Sequence, residues 1–340
     1  MTTSTTPANV TTTTIGKYRH LSRCATVNGH FVVLAIDHRA NLLDAMNQSA
    51  PRPVTDDEFT AFKQQIIGAT PASVSAVLTD PAYGIGAGIA DRTLPGRLGL
   101  LAPIEVTNYD LNPDQRTVEM IPHWSIKKIK LTGGDGVKLL LPYHPEAANA
   151  TEKHQIVRQI VDDCATYDIP FFLEPIAYSM DAQKPLTDVE LRQITLEMAH
   201  TFSTMGVDIL KLHFPVDVKT TVDEAEWLKV CQEVTTACGG VPWALLSAGV
   251  TYEVFLKQAR VACAAGASGV IVGRAVWNEA VKLQGEERGS FIQTVMPQRM
   301  DELAAICQAH ATPWFDRVAE PDHTPTWYEG YGEKQDAKEN

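Results

Sequence analysis

Eight short aliphatic runs, separated by helical patterns, constrain the fold of this chain more than any other feature of its sequence. They are continuously apolar rather than alternating, which is typical of parallel strands covered on both faces. From the fourth run to the seventh, a new run begins about every 35 residues, the length of one strand–helix unit. The runs are Phe31–Ile36, Ser75–Thr79, Leu98–Pro103, Gly136–Leu141, Pro170–Leu173, Val207–Leu212, Trp243–Leu246 and Gly269–Val272.

Amphipathic segments with helix-start and helix-stop signals lie between most of these runs. They are Asp56–Gly68, His154–Tyr167, Asp188–Met205, Asp223–Cys238 and Tyr252–Ala265. No linker rich in proline, glycine and serine divides the series. The sequence therefore predicts an α/β fold, a single (β/α)8 TIM barrel over residues 15–319, with a doubly wound open sheet as the alternative.

The two ends of the chain differ from this pattern. Residues 1–14 are rich in threonine and predict a disordered tail, and residues 320–340 predict a polar C-terminal extension. The beginning of the chain lacks the features of a signal peptide, and no apolar run approaches the roughly 18 residues of a membrane span. The six cysteines are widely spaced, as in reduced proteins. We therefore expect a cytoplasmic protein.

The charge balance narrows the class of partner. With 29 Lys and Arg against 41 Asp and Glu, the net charge is −12, which disfavours nucleic acid and anionic membranes as partners. An anionic small molecule is compatible with this charge, because a few local cations can dominate inside a cleft. A homo-oligomer is compatible with the sequence but not indicated by it.

Several polar residues fall where the runs end or shortly before, and barrels carry their active sites at the C-terminal ends of the strands. Lys138, Glu174, Lys211 and Ser247 are separated by 36, 37 and 36 residues, so they occupy equivalent positions in successive units. The segment 37–39, Asp-His-Arg, follows the first run. We expect these side chains to converge at one mouth of the barrel.

The two strand lysines suggest amine chemistry. Lys211 stands among aliphatic residues, where an ammonium group is costly to bury unless it is paired or neutral. A second cation such as Lys138 nearby favours the free amine, which attacks ketones. The alternative is a structural ion pair between a strand lysine and Glu174.

The last two runs end in small residues that favour phosphate binding. Ser247, Gly249, Gly273 and Arg274 combine backbone N–H groups with a cationic side chain, at the position where barrels often bind phosphate. By contrast, Gly84, Gly86 and Gly88 lack nucleotide-loop spacing and predict a flexible loop after the second run. The histidines lack metal-site spacing, so no metal and no cofactor are expected.

An ordered series of motifs resembles the class I tagatose-1,6-bisphosphate aldolase family and the related sulfofructose-phosphate aldolases. The series is Ala-Ile-Asp-His-Arg at 35–39, Leu-Thr-Asp-Pro-Ala-Tyr-Gly at 78–84, Val-Lys-Leu-Leu at 137–140, Phe-Phe-Leu-Glu at 171–174, Asp-Ile-Leu-Lys at 208–211, Leu-Ser-Ala-Gly-Val at 246–250 and Gly-Arg-Ala-Val-Trp at 273–277. The resemblance covers about Ala35 to Trp277. Each motif is weak alone, and their order makes the set specific.

The resemblance implies retro-aldol cleavage of a ketose 1-phosphate or 1,6-bisphosphate to dihydroxyacetone phosphate and a three-carbon aldehyde. Lys211 would form an imine with the C2 ketone, and Glu174 would move protons. Lys138 would hydrogen-bond substrate oxygens, Asp37 would orient the sugar hydroxyls, and Arg39 would contact the substrate. The C1 phosphate would lie at Ser247, Gly249, Gly273 and Arg274.

The chain departs from the family pattern at two histidines. His38 stands where the first motif usually has Gln, and Leu212-His213 stands where Val-Glu usually follows the lysine. His213 follows Lys211 by two residues and is expected on the same side, as a substrate contact or a spectator. Arg92, Arg97 and Lys184 are candidates for a distal anion, phosphate or sulfonate.

Three alternatives to a tagatose-1,6-bisphosphate-like aldolase remain open at this point. One is a sulfofructose-phosphate aldolase with the same chemistry. Another is a metal-dependent lyase or isomerase that uses Asp37, Glu174 and histidines. The third is a sugar-phosphate sensor without catalysis.

Overall fold

Ten strands and thirteen α-helices occur in residues 13–106, 117–181 and 183–332, which the computed structural model describes. The strands are β1 (Phe31–Ile36), β2 (Ala76–Thr79), β3 (Gly99–Pro103), β4 (Glu105–Val106), β5 (Glu119–Met120), β6 (Gly136–Tyr143), β7 (Phe171–Ala177), β8 (Ile209–Leu212), β9 (Trp243–Leu246) and β10 (Gly269–Val272). The helices are α1 (Ile15–Cys24), α2 (Ala40–Ser49), α3 (Asp56–Gly68), α4 (Gly86–Ala90), α5 (Ile126–Leu131), α6 (Ala150–Thr166), α7 (Asp188–Ser203), α8 (Glu224–Ala237), α9 (Tyr252–Ala264), α10 (Arg274–Trp277), α11 (Glu279–Lys282), α12 (Gly285–Ser290) and α13 (Met296–His310). Two π-helical turns (Pro81–Ile85 and Phe291–Val295) and a 3-10 turn (Trp314–Asp316) complete the secondary structure.

Eight of the strands form one closed parallel barrel, in the order β1-β10-β9-β8-β7-β6-β3-β2. Strands β4 and β5 pair separately as a short antiparallel hairpin after β3. Strand β1 pairs with β10 on one side and β2 on the other, which closes the ring. The predicted (β/α)8 barrel is therefore confirmed, and the open sheet is wrong.

The interior of the barrel is filled by alternate side chains of the strands. Phe31 and Val33 on β1, Phe172 on β7 and Ile209 on β8 belong to one buried cluster inside the ring. Their strand neighbours, such as Leu34 and Leu210, belong to the larger cluster between strands and helices. Burial on both faces explains why the strand sequences are continuously apolar.

Helix α1 closes the bottom of the barrel, the end where the strands begin. Its side chains Leu21 and Cys24 join the interior cluster, and Thr14 caps the helix by accepting a hydrogen bond from Lys17 N. The predicted disordered tail is thus described only at residues 13–14, and residues 1–12 lie outside the described residues. Tyr331, in the predicted C-terminal extension, donates a hydrogen bond to Asp168.

The glycine-rich segment after β2 is helical, so the prediction of a flexible loop there is wrong. The π-helical turn Pro81–Ile85 runs directly into α4. Asp80 starts the turn, because its Oδ1 accepts hydrogen bonds from the N–H groups of Ala82 and Tyr83. Across the described chain, we find no helix with the length and apolarity that a membrane crossing requires.

Candidate active site

A cavity of about 930 Å³ opens at the top of the barrel, where the strands end. Its wall includes nine of the ten residues predicted for the site, all except Gly249. They are Asp37, Arg39, Lys138, Glu174, Lys211, His213, Ser247, Gly273 and Arg274. The predicted convergence of the strand ends is therefore observed in the structure.

Glu174 lies between the two strand lysines. Its Oε2 is 2.9 Å from Lys211 Nζ and 3.1 Å from Lys138 Nζ. All three side chains are at least nine-tenths buried, so the contacts form in a medium that screens charge weakly. Burial alone would raise the pKa of Glu174, but the two ammonium groups lower it below the usual value.

Lys138 is surrounded by carboxylates. Besides Glu174, Asp37 Oδ2 lies 3.0 Å from its Nζ and Glu105 Oε1 lies 2.8 Å away. Burial opposes the charge on Lys138, but the three carboxylates outweigh burial and raise the pKa of its ammonium well above the usual range. Lys138 is therefore a fixed cation, whereas Lys211 contacts one carboxylate among the described residues.

Two of the carboxylates around Lys138, those of Asp37 and Glu105, have pKa values that are shifted in opposite directions. Burial would raise the pKa of Asp37, but Lys138, with His38 and Lys211 beside it, holds this pKa well below the usual range. For Glu105 the effect of burial dominates and the pKa is raised. The Oε2 atom of Glu105 is buried without a hydrogen-bond partner.

Glu105 is a site residue that the sequence analysis missed. It follows β3 as the first residue of the β4–β5 hairpin, outside the 36-residue spacing that located the other groups. Its backbone carbonyl also accepts a hydrogen bond of 2.6 Å from Arg39. A carboxylate two residues after a buried strand was the available signal.

His38 packs between the end of β1 and the start of α10. Its ring meets Trp277 edge to face, with 5.3 Å between ring centroids, and its Nδ1 is 3.8 Å from Asp37 Oδ1. A Cβ atom at Gly273 would lie 3.2 Å from His38 Cε1, so the ring touches this backbone. Burial, with Arg274 and the two lysines, lowers the pKa of His38 to about 4.

The loops after β9 and β10 form a second part of the site. Ala248 and Gly249 both have positive φ, 45° and 76°, and their N–H groups donate to no backbone carbonyl within the described residues. The Arg274 side chain lies over this turn, 3.3 Å from the position of a Cβ at Gly249. Arg274 is exposed and forms no ion pair with a described residue. Together with Ser247, these groups can hold a small anion.

His213 lines the cavity, but its ring is hydrogen-bonded to a residue of α7, a helix outside the barrel. Its Nε2 is 2.8 Å from Thr195 Oγ1 on α7, and Thr195 donates its own proton to Leu191 O. His213 therefore carries its proton on Nε2, facing Thr195. Burial lowers its pKa to about 4.

The upper wall of the cavity is largely apolar. Along the inward positions of β6 and β7, Leu140 follows Lys138 and Ile176 follows Glu174, so an aliphatic layer covers the charged one. The three residues considered for a distal anion, Arg92, Arg97 and Lys184, do not line the cavity. Lys184 instead pairs with Asp181 on the surface.

The described residues contain no group of three or more His, Cys, Asp and Glu side chains arranged for a metal ion. The six cysteines are all buried and free of disulfides.

A family model described as "DeoC/LacD family aldolase" matches residues 31–279. The chain is 31% identical over 326 residues to the tagatose 1,6-diphosphate aldolase of Streptococcus agalactiae, covering 88% of this chain and 98% of that protein. It is also 31% identical over 333 residues to tagatose 1,6-diphosphate aldolase 2 of Enterococcus faecalis, covering 90% and 98%.

Among solved structures, the chain is similar to a Schiff-base-forming fructose-1,6-bisphosphate aldolase. The TM-score is 0.57 at 18% sequence identity, and the match covers 82% of this chain and 98% of that one. At this identity the likeness bears on the fold alone.

Proposed function

The chain belongs to the DeoC/LacD family of aldolases, which are carbon–carbon lyases, and from this premise we propose a class I aldolase that uses Lys211 as its imine-forming amine. The proposed substrate is a ketose 1-phosphate or 1,6-bisphosphate, tagatose-1,6-bisphosphate-like, cleaved to dihydroxyacetone phosphate and a three-carbon aldehyde. The observation that carries the proposal is the position of Glu174 between Lys211 and Lys138, 2.9 Å and 3.1 Å from their Nζ atoms.

In the proposed reaction, the neutral amine of Lys211 adds to the C2 carbonyl and the resulting carbinolamine loses water to give an iminium. The C3–C4 bond then breaks. Its electrons move into the iminium, giving an enamine, while the C4 hydroxyl proton passes to Glu174. Protonation of the enamine at C3 and hydrolysis release dihydroxyacetone phosphate and restore Lys211.

The other groups have binding roles in this proposal. Lys138 keeps a fixed positive charge that can hold substrate oxygens, and Asp37 is ionised beside it and can accept hydrogen bonds from sugar hydroxyls. The turn at Ala248 and Gly249, with Ser247, Gly273 and Arg274, binds the C1 phosphate. Arg39 and His213 complete the set of proposed substrate contacts from the cavity wall.

Reduction of the trapped imine tests the proposal. We expect borohydride treatment in the presence of dihydroxyacetone phosphate to leave a stable adduct on the peptide that contains Lys211, detected by mass spectrometry. The Lys211→Arg variant keeps a cation and should give no adduct and no cleavage. A matched Lys184→Arg variant, at an exposed lysine outside the cavity, should behave like the wild type.

Three results would contradict the proposal. Cleavage by Lys211→Arg at a rate near that of the wild type excludes the imine at this lysine. Loss of wild-type activity on exhaustive chelation favours the metal-dependent lyase or isomerase instead. Binding of phosphorylated ketoses without turnover of any candidate favours the sensor.

The same proposal includes the cellular setting and the distal end of the substrate. We place the enzyme in the cytoplasm, either as a monomer or as a homo-oligomer.

The distal group of the substrate is a phosphate in the tagatose-like case and a sulfonate in a sulfofructose-phosphate aldolase. Relative kcat/KM for the two substrates decides between them.

A further inference from the structure

The proposed C1-phosphate site, called here the phosphate cradle, has a neighbour that the proposed function does not use; the cradle consists of Ser247, Ala248, Gly249, Gly273 and Arg274. His38 lines the cavity between Asp37 and Gly273, and its Cε1 would lie 3.2 Å from a Cβ at Gly273. Arg274, the next residue, is the proposed clamp on the C1 phosphate. A phosphate held by Arg274 and by the backbone of the cradle therefore comes close to the imidazole ring of His38.

The His38 ring has unused hydrogen-bonding capacity. Its Nδ1 is buried without a partner in the described chain, and Asp37 Oδ1, at 3.8 Å, is too distant for a hydrogen bond. No hydrogen bond of its Nε2 occurs among the described residues either. Trp277 and Gly273 hold the ring by packing contacts. Trp277 meets its edge or face and Gly273 lies near its Cε1, so neither contact is a hydrogen bond to a ring nitrogen.

The charges that face His38 disfavour a proton on its ring. Lys138 from β6, Lys211 from β8 and Arg274 after β10 oppose a proton on the ring, and only Asp37 favours one. Burial adds to this opposition and is the largest cause of the low pKa. A phosphate dianion at Arg274 would reverse the balance, because it neutralises one of the opposing cations and adds negative charge beside the ring.

We propose that His38 is a substrate-binding residue that takes up a proton when the ketose phosphate binds, so that the dianion is held by an imidazolium as well as by Arg274. This inference rests on the phosphate cradle of the proposed function. In the bound state the imidazolium lies between two anions, Asp37 and the phosphate. The proton comes from solvent and returns to solvent when the phosphate leaves, so no bond to carbon is involved.

The sign of the pH dependence follows from linkage. A group whose pKa is higher in the complex than in the free protein makes binding tighter as pH falls through the bound-state pKa. Because the free-state pKa is about 4, this slope extends from the bound-state pKa down to about pH 4, below which His38 is protonated with and without the ligand. One proton per ligand gives a slope of about one decade in affinity per pH unit at most.

Calorimetry with sn-glycerol 3-phosphate tests the inference without imine chemistry, because this ligand carries the phosphate but no carbonyl. Titrations in buffers of different ionisation enthalpy give the number of protons taken up. Between pH 7 and 9 the ligand is a dianion, since phosphate monoesters have a second pKa of about 6. We expect the wild type to take up a substantial fraction of a proton at pH 7 and to bind more weakly as pH rises.

Two variants separate this role from a packing role. His38→Gln keeps a neutral hydrogen-bonding side chain and should bind without proton uptake, with an affinity that is flat across this pH range. His154→Gln is the matched control, a partly buried histidine on α6 outside the cavity whose pKa is also lowered, by burial and by Arg158. It should take up protons as the wild type does.

Equal proton uptake by the wild type and His38→Gln would overturn the inference, because the proton would then belong to another group. Failure of the wild type to bind glycerol phosphate would overturn it together with the cradle. The imine at Lys211 is tested separately by borohydride trapping, so failure of one proposal is distinguishable from failure of the other.

Discussion

The charged side chains at the two ends of the barrel differ in the number and kind of their partners. At the bottom, three aspartates that precede strands β6, β7 and β8 each contact their own partners from α1, its N-cap residue or the C-terminal segment. The contacts are Asp135 with Arg23 and His20, Asp168 with Thr14 and Tyr331, and Asp208 with Lys17. At the top, Lys138 is shared by three carboxylates and Arg274 has no ion-pair partner among the described residues.

This difference separates a stabilising end from the end that carries the proposed active site. At the bottom each aspartate has partners of its own, which satisfies the carboxylates and holds α1 across the barrel. Shared and unmatched charges at the top keep some groups available for a substrate. The comparison agrees with the general division of barrels into a stabilising bottom and a catalytic top.

The largest effect on this contrast is expected from Glu174→Gln at the top. The amide keeps the shape but cannot accept a proton, so kcat should fall by about 10²- to 10⁴-fold, the usual contribution of acid–base catalysis. Steady-state kinetics would measure it. Glu233→Gln, at a partly exposed pair with Arg192 on the outer helices, is the control and should leave kcat unchanged. A fall in kcat of less than tenfold for Glu174→Gln would argue against its proton role.

The next effect is expected from Asp208→Asn at the bottom. Lys17 would keep its charge in a buried place without a carboxylate, so the free energy of unfolding should fall by about 3 kcal/mol with kcat/KM unchanged. Urea denaturation and kinetics would check both. Adding Lys17→Met should recover part of the loss, because it removes the unpaired charge. A large change in kcat/KM would remove the distinction between the two ends.

Two glycines with positive φ offer a matched pair of smaller effects. Gly249→Ala at the top would strain the backbone and crowd Arg274, and we expect KM to rise by about tenfold. Gly239→Ala, at the bottom with φ 61° and no atom nearer than 3.7 Å, should cost about 1–2 kcal/mol of stability and leave KM unchanged. Equal KM values for the two variants would place the phosphate elsewhere.

The smallest effect is expected from Ser247→Ala. Loss of the one hydrogen bond that the neutral Ser247 hydroxyl donates to the phosphate should raise KM by about 3- to 10-fold, corresponding to about 0.5–1.5 kcal/mol, while kcat stays the same. Kinetics with the ketose phosphate would measure it. A fall in kcat at constant KM would assign Ser247 to the chemical step rather than to binding.

The sequence predicted the strands and the convergence of the site well, and the comparisons confirm the family that its motifs resembled. The runs Phe31–Ile36, Trp243–Leu246 and Gly269–Val272 are observed strands with the same bounds. This works because strands buried on both faces must be continuously apolar, and because equal spacing along parallel units places side chains at equal heights.

The spacing of residues along the sequence could not predict contacts between segments that are distant in the chain. Glu105 belongs to a hairpin insertion, so spacing could not locate it. The segment after β2 is helical because Asp80, fixed by a buried ion pair with Lys63, caps it, and glycine content alone does not reveal that pair. Likewise, the hydrogen bond between Thr195 and His213 depends on how α7 packs against the barrel.

The shared carboxylate has a consequence for the order of events during turnover. Glu174 owes its low pKa to two cations, and one of them, Lys211, is uncharged both as the attacking amine and in the carbinolamine of the proposed reaction. At that stage Glu174 becomes a weaker acid that can carry the proton needed by the departing hydroxyl. When the iminium forms, the positive charge returns and Glu174 becomes a carboxylate again, ready to receive the C4 proton. The timing of proton transfer is thus set by the covalent state of the neighbouring nitrogen.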